Sequence, residues 1–487
     1  MSKAKSNKSG RSDSSSARAT ELRDKALDLF QEAIDIEKTD GDELSFGDFE
    51  STVLEKGEEM MRLLLERELQ KRSDSLAPKL KIRRQGDSDD VTYRQHEQSV
   101  GTYHSLCGPL IVERYRYREV GSNGKSVVPL EAVAGLLEDM TPKLAGCLAH
   151  GYCNQGMRAF REDLVAAHRS PPSRSTMERK AKALGSKTDL GVASFEASVM
   201  EDETLPVGTT AVVLGLDRTS VPMEEDAPSK TTRRRKPRIR KAPDPVTVQF
   251  RMDYVGTVSF VDSDGETLGQ RYYRAASNSN AEQIANRMAS EVEHALKQDK
   301  QLKVAIVQDG APELWVALRA SLTALSTTVG WTETLDWFHA MERLTDCLEL
   351  CVPGETERAE QRRLWSEALA NQDQAIEIII LSLHEHAKGL KKNEAEKLGG
   401  HARYFSARTS QMCYRTTRDK GLPIGSGATE GACKSLVGSR AKRGGQRWRP
   451  EGLGAVLSLR AIRRSGRFEP FWAEFKQRAR PYSCSPA

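Results

Sequence analysis

Two short, unbroken apolar runs, each closed by an aspartate, constrain this chain more than anything else in its sequence. Residues 210–216 (TAVVLGL) run into Asp217, and residues 303–307 (KVAIV) run through Gln308 into Asp309. Apolar runs of this length without alternation fit strands buried on both faces. Between them, strand-like residues 254–261 and 268–274 flank the turn Ser263-Asp264-Gly265, which predicts a hairpin. Residues 280–298 then place Ala281, Ile284, Met288, Val292 and Leu296 at helical spacing. A helix over 312–325, a short strand over 332–335 ending at Asp336, and a helical region over 338–405 follow. A late helix opens at residues 425–431 (GSGATEG), with Glu430 in its first turn. The fold class expected from this order is α/β.

An aspartate after an apolar strand often only starts a turn or caps a helix. The order distinguishes this chain: strand-Asp, hairpin, helix, strand-Asp, helix, strand, and finally helix-Glu. It matches a ribonuclease H-like core, here interrupted by an all-helical stretch and preceded by a helical plus β N-terminal region. In such a core the two strand ends lie side by side, with the helical glutamate against them. Three carboxylates converging in a poorly solvated cleft repel one another unless cations occupy it. Oxygen-only ligands favour hard cations such as Mg²⁺. Two such ions about 3.5–4 Å apart stabilise the attacking and leaving oxygens at phosphorus. The expected reaction is hydrolysis or transesterification of a phosphodiester.

The rest of the chain supplies a setting for that core. Residues 1–17 are basic and Ser-rich without an apolar stretch, so a disordered tail and no secretory signal are expected. Residues 18–137 read as two amphipathic helices and a small β module turning at Cys107-Gly108-Pro109. Residues 138–200 read as a helix-turn-helix-like region with Arg174, Arg179, Lys180 and Lys182 on its second helix; two ordinary packed helices fit equally well. A linker is expected over 187–208. The first part of the core spans 205–339, the helical insertion 340–426, and the core's final helix with a basic segment 427–475; 476–487 reads as a tail. No apolar run is long enough to span a membrane. Eight cysteines without a CxxC pair argue against a disulfide framework and for a reducing, intracellular compartment. The net charge is only +5, but it is clustered. Residues 233–241 (RRRKPRIRK) hold seven basic side chains and residues 440–449 (RAKRGGQRWR) hold five. Such clusters point to a polyanion, against the plainer reading of solvated loops. In the second, Arg440, Lys442, Arg443, Arg447, Trp448 and Arg449 combine phosphate-binding charge with a stacking plane.

Four segments, LGLDRTSV around Asp217, VQDGAPELW around Asp309, LDWFHAMERL around Asp336 and His339, and LPIGSGATEGACKSLVGSRAKRGGQRW around Glu430, resemble a DDE transposase of the ISKra-type insertion-sequence family. GPLIVERYRYR and VVPLE extend the likeness upstream. The resemblance implies that Asp217, Asp309 and Glu430 are a metal-binding triad for Mg²⁺, with Mn²⁺ as a substitute. It further implies binding to transposon ends and target DNA, strand cleavage and transfer, action as at least a dimer on DNA, and a bacterial, cytoplasmic, nucleoid-associated protein. At residues 117–127 the chain departs from the family's pattern, lacking a cysteine pair. A nuclease or resolvase that only cleaves, or a non-catalytic DNA-binding descendant, are the rival readings. Asp336 and His339 resemble the DxxH element of Mutator-like transposases, and lie three apart on a first helical turn. They could support catalysis or merely orient the helix start. Competitors for the place of Glu430 are Glu342 and Glu385. Gly427 and Gly431 are expected to let the helix approach the sheet, and His384 and His386 to lie at the surface.

Overall fold

The computed structural model describes residues 10–38, 45–226, 246–275, 280–327 and 330–487. The basic segment 233–241 therefore lies outside the described residues. The chain divides into two compact units, Met1–Thr188 with Glu469–Ala487, and Asp189–Phe468.

The first unit has helices α1 (Gly10–Ile34) and α2 (Phe46–Asp74) and a sheet of β1 (Lys79–Arg84), β2 (Val91–Ser105) and β3 (Gly108–Glu119). The strand β9 (Tyr482–Pro486), from the far end of the sequence, pairs antiparallel with β1 and completes the order β3-β2-β1-β9. The residues read as a tail thus form a strand, because Tyr482 and Cys484 pack against the cluster of Leu80, Ile82, Tyr93 and Tyr117. Likewise α1 begins at Gly10, inside the segment expected to be disordered. The buried polar residues of α2 have a purpose: they satisfy the open edge of β3. Ile111 N donates to Glu66 Oε2 (3.1 Å), Glu113 N donates to Gln70 Oε1 (2.9 Å), and Ser73 Oγ donates to Glu113 O (2.9 Å). Helices α3 (Pro129–Val133), α4 (Pro142–Tyr152), α5 (Met157–Ala166) and α6 (Arg174–Glu201) follow. Ser173 caps α6 through its hydroxyl, which accepts from Thr176 N. The expected linker does not begin at 187, because α6 continues to Glu201. Val192, Phe195 and Val199 recur at helical spacing and are buried, and the buried Glu196 pairs with the half-buried Arg287.

The second unit is a mixed α/β layer structure. Its sheet contains β4 (Ala211–Asp226), β5 (Val246–Val261), β6 (Thr267–Arg274), β7 (Lys303–Gln308) and β8 (Trp331–Leu335), in the order β6-β5-β4-β7-β8. Pairs β4–β7 and β7–β8 are parallel; β4–β5 and β5–β6 are antiparallel. Helices α7 (Ala281–Gln298) and α8 (Pro312–Thr323) cover one face. There Val212, Leu214 and Leu216 meet Ile284, Met288, Leu314 and Leu318. Alternate residues Ala211, Val213, Ala305 and Val307 turn to the other face, against Leu422. Five helices then run from α9 (Trp337–Cys351) through α10 (Glu355–Asn371), α11 (Ala375–Lys388) and α12 (Lys392–Ser406) to α13 (Tyr414–Asp419). They share their own apolar core, including Leu344, Leu369, Ile376, Leu383 and Phe405. The chain leaves the sheet and returns at adjacent points: Trp337 N donates to Ile424 O (3.0 Å). Then come α14 (Gly427–Ala432), a π-helical turn (Cys433–Gly438), α15 (Ser439–Ala441) and α16 (Pro450–Arg464), before α17 (Phe468–Arg478). Among the described residues no helix is long and apolar enough to cross a membrane.

Candidate functional site

Register and parity decide where the acidic residues go. Leu214 pairs with Ile306 across the parallel strands, so the same offset sets Asp217 beside Asp309. Both continue the alternation of Val213 and Val307, hence both face away from α7 and α8. Asp217 does not end its strand, as the apolar run suggested. Pairing with β7 stops at Leu214, but pairing with β5 continues to Asp226. Asp217 therefore stands where β4 has lost one neighbour, and a cleft opens. Its Oδ1 accepts from Arg218 N (2.6 Å) and its Oδ2 from the buried thiol of Cys433 (3.4 Å). Burial, and the thiol's position beside the negative charge of Asp217, push Cys433 far above the usual thiol range, so it remains a donor. Asp309 Oδ1 accepts from Ala311 N (3.0 Å). Burial raises the Asp309 carboxyl above its ordinary value and the charge of Asp217 raises it further, against the bond from Ala311.

Glu430 arrives by a different route from the one the glycines implied. A Cβ on Gly427 or Gly431 would meet nothing within 4 Å, so neither is needed for close approach. The tight contact is at Gly215, inside the apolar first part of β4. A Cβ there would fall 2.0 Å from Thr429 Oγ1. Thr429 is buried and shares a 2.7 Å hydrogen bond with Thr257 Oγ1 on β5. The bare backbone at Gly215 thus seats α14 on the sheet, with Glu430 one residue beyond the contact. A glycine inside an apolar strand is a signal of such approach, and it is legible in LGLD.

Asp336 and His339 orient the start of α9, the structural one of the two purposes that the sequence left open. Asp336 is fully buried and caps α9, its Oδ1 accepting from His339 N (2.7 Å) and from His339 Nδ1 (3.0 Å). Its Oδ2 accepts a short bond from Ser426 N. Burial alone would raise this carboxyl, but these donors outweigh it and hold it at about 2. The bond to Asp336 raises His339 to about 9, helped by the charges of Asp336, Asp309 and Glu430 and opposed by burial. His339 Nδ1 lies 3.8 Å from Glu430 Oε1. Ligand atoms of Asp336, His339 and Glu430 all fall within 4.8 Å of one another. Asp336 is nevertheless a poor metal ligand, since it is fully buried and its two oxygens accept three hydrogen bonds that build the start of α9 and hold Ser426.

An open groove of about 1200 Å³ runs past these groups, lined by Asp217, His339, Glu430, Phe338, Glu342 and Arg362 among others. Glu342 is exposed in this groove, whereas Glu385 pairs with Lys388 (2.6 Å) on the surface of α11. His384 and His386 are exposed. The basic segment 440–449 divides in two. Lys442, Arg443, Arg447 and Arg449 are exposed, and Lys442 Nζ bonds Thr219 Oγ1. Arg440 is buried, its guanidinium 5.0 Å over the ring of Trp448, so it does not present surface charge. Trp448 bonds Ala441 O through Nε1 (3.0 Å), and its backbone is tied to Pro222 and Glu224 at the far end of β4. In the first unit Lys180 is similarly withdrawn, bonded to Glu138 O and Asp139 Oδ2, while Arg174 and Arg179 stay exposed.

No protein-family model matches the chain, and no curated protein matches it. A chain of the solved Drosophila P element transposase strand transfer complex is similar in structure, with a TM-score of 0.35 and 14% identity over 67% of this chain and 92% of that one. A likeness of that degree carries no argument for fold or chemistry.

Proposed function

We propose that this chain is a divalent-cation-dependent enzyme that cleaves and joins DNA strands, a transposase of the DDE kind. The observation that carries the reading is that Asp217, His339 and Glu430, from β4, α9 and α14, line one groove, with Asp309 at the end of β7 within electrostatic reach of Asp217 and His339. In this reading the five-stranded sheet is a ribonuclease H-like core and residues 340–426 are its helical insertion. The three carboxylates fit Mg²⁺ or Mn²⁺: they offer only oxygen donors. The raised carboxyl of Asp309 beside Asp217 is an environment that a cation would relieve. A cation held there would supply the positive charge that stabilises attacking and leaving oxygens during displacement at phosphorus. The chain's own groups position the ligands. Arg218 N and Cys433 orient Asp217, Ala311 N orients Asp309, and Gly215 with Thr429 seats Glu430. In the cation-free protein the Asp336 carboxylate favours a proton on His339, beside Glu430 and the groove. Lys442, Arg443, Arg447 and Arg449 would contact DNA phosphates, and α5 with α6 would read transposon ends.

Glu430→Gln and Glu342→Gln test the third carboxylate. Glu430→Gln is expected to lower Mg²⁺-dependent DNA cleavage by roughly a hundredfold or more, with DNA binding unchanged. Glu342→Gln is expected to cut within about threefold of the parent, since Glu342 is an exposed groove residue. A dead Glu342 variant beside a normal Glu430 variant would reject the assignment.

A further inference from the structure

Among the described residues, the hairpin of α1 and α2 buries one seam and leaves a second apolar face uncovered. Leu22, Ala26 and Leu63 form the buried seam, with Leu29 and Met60 against it. Leu27, Phe30 and Ile34 on α1, and Leu54, Met61 and Leu65 on α2, remain 39–57% exposed. The first three recur at i, i+3 and i+7, and the second at i, i+7 and i+11, so each set is a stripe along its helix. Single exposed apolar residues are ordinary; two continuous stripes are not. Gly57 lies in the α2 stripe, four residues before Met61. A Cβ there would meet nothing within 4 Å, so nothing in its own chain requires a glycine. A mid-helix glycine nonetheless costs on the order of 1 kcal/mol against alanine.

We propose that this face is where two copies of the chain pair, the two hairpins packing as a four-helix bundle. The area argues for a second copy. With Phe46, Val53 and Leu64 also exposed, the face offers several hundred Å² of apolar surface, of the order of the roughly 800 Å² per partner that a standard interface buries. A two-fold pair uses the same patch on both sides, so one stripe serves as its own complement. Leu54, Gly57, Met61 and Leu64 follow the alternating three- and four-residue spacing of a helix-pairing seam, and Gly57 permits close approach of the partner's backbone. The inference does not depend on the catalytic reading, and its test uses no DNA. Sedimentation equilibrium of the full chain at micromolar concentration is expected to give a dimer mass. Met61→Glu with Leu65→Glu should weaken pairing at least tenfold, with the far-ultraviolet dichroism and melting of the parent. Should the double variant fold poorly, Leu54→Lys alone is expected to shift the same equilibrium. A parent chain that stays monomeric at tens of micromolar, or a dimer that neither folded variant weakens, would overturn the proposal.

Discussion

Asparagine at Asp217 or Asp309 is expected to abolish strand cleavage and joining, by roughly a thousandfold or more, the several kcal/mol that a correctly held cation supplies. The change is nearly isosteric. An asparagine oxygen can still accept from Arg218 N at position 217, or from Ala311 N at position 309. What disappears is charge. Because burial and the Asp217 charge both raise the Asp309 carboxyl, removing one negative charge relieves repulsion in the cation-free protein. Thermal stability should therefore hold or rise slightly while activity vanishes, and DNA affinity should change little. A structural role for these aspartates would give the opposite pattern, a lowered melting temperature with activity retained in the folded fraction. Activity near that of the parent in either variant, at ordinary Mg²⁺, would refute the assignment.

The largest loss of stability is expected at Arg467, which no reading of the sequence singled out. It is buried, and its guanidinium meets Glu203 (2.5 and 2.9 Å), both oxygens of Glu291 (2.8 Å each) and Tyr273 Oη (3.3 Å). Burial would favour losing its proton, but the surrounding oxygens hold the charge firmly in place. Glu291 is itself buried on α7 and Tyr273 lies on β6. One side chain thus joins the segment after α6, a sheet strand, a covering helix and the turn beyond α16. Arg467→Ala leaves Glu291 buried without its cation, which costs about 3–5 kcal/mol. Denaturant titration of the parent and variant measures it. Pairing the change with Glu291→Gln should recover part of the loss, because the stranded charge is then gone. A cost below about 1 kcal/mol would mean that the network contributes little.

The positions of the strands and of α7 were legible because each depends on local patterning: unbroken apolar runs and helical periodicity. Features set by distant partners were not. The run at 210–216 announces a strand but not its extension to Asp226, which exists only because β5 continues alongside from Val246 to Asp253. Residues 482–486 alternate too briefly to declare a strand without β1 to pair with. Charge in a sequence does not tell whether a side chain is solvated: Lys180 and Arg440 read as surface cations, yet carbonyl and carboxylate oxygens take the first and the ring of Trp448 covers the second. Glycines near Glu430 drew attention that belonged to Gly215, since a helix seated on a sheet needs its space in the strand below it.

The central claim is that three carboxylates form one cation-dependent phosphodiester site, and strand transfer on duplexes taken from the DNA flanking the gene tests it most directly. The purified chain is expected to nick those ends in Mg²⁺, join the freed 3′-hydroxyl to a second duplex, and do neither in the presence of a chelator. Cleavage without joining would move the protein to a nuclease or resolvase. Firm end binding with no strand breakage in Mg²⁺ or Mn²⁺, or breakage indifferent to chelator, would contradict the account.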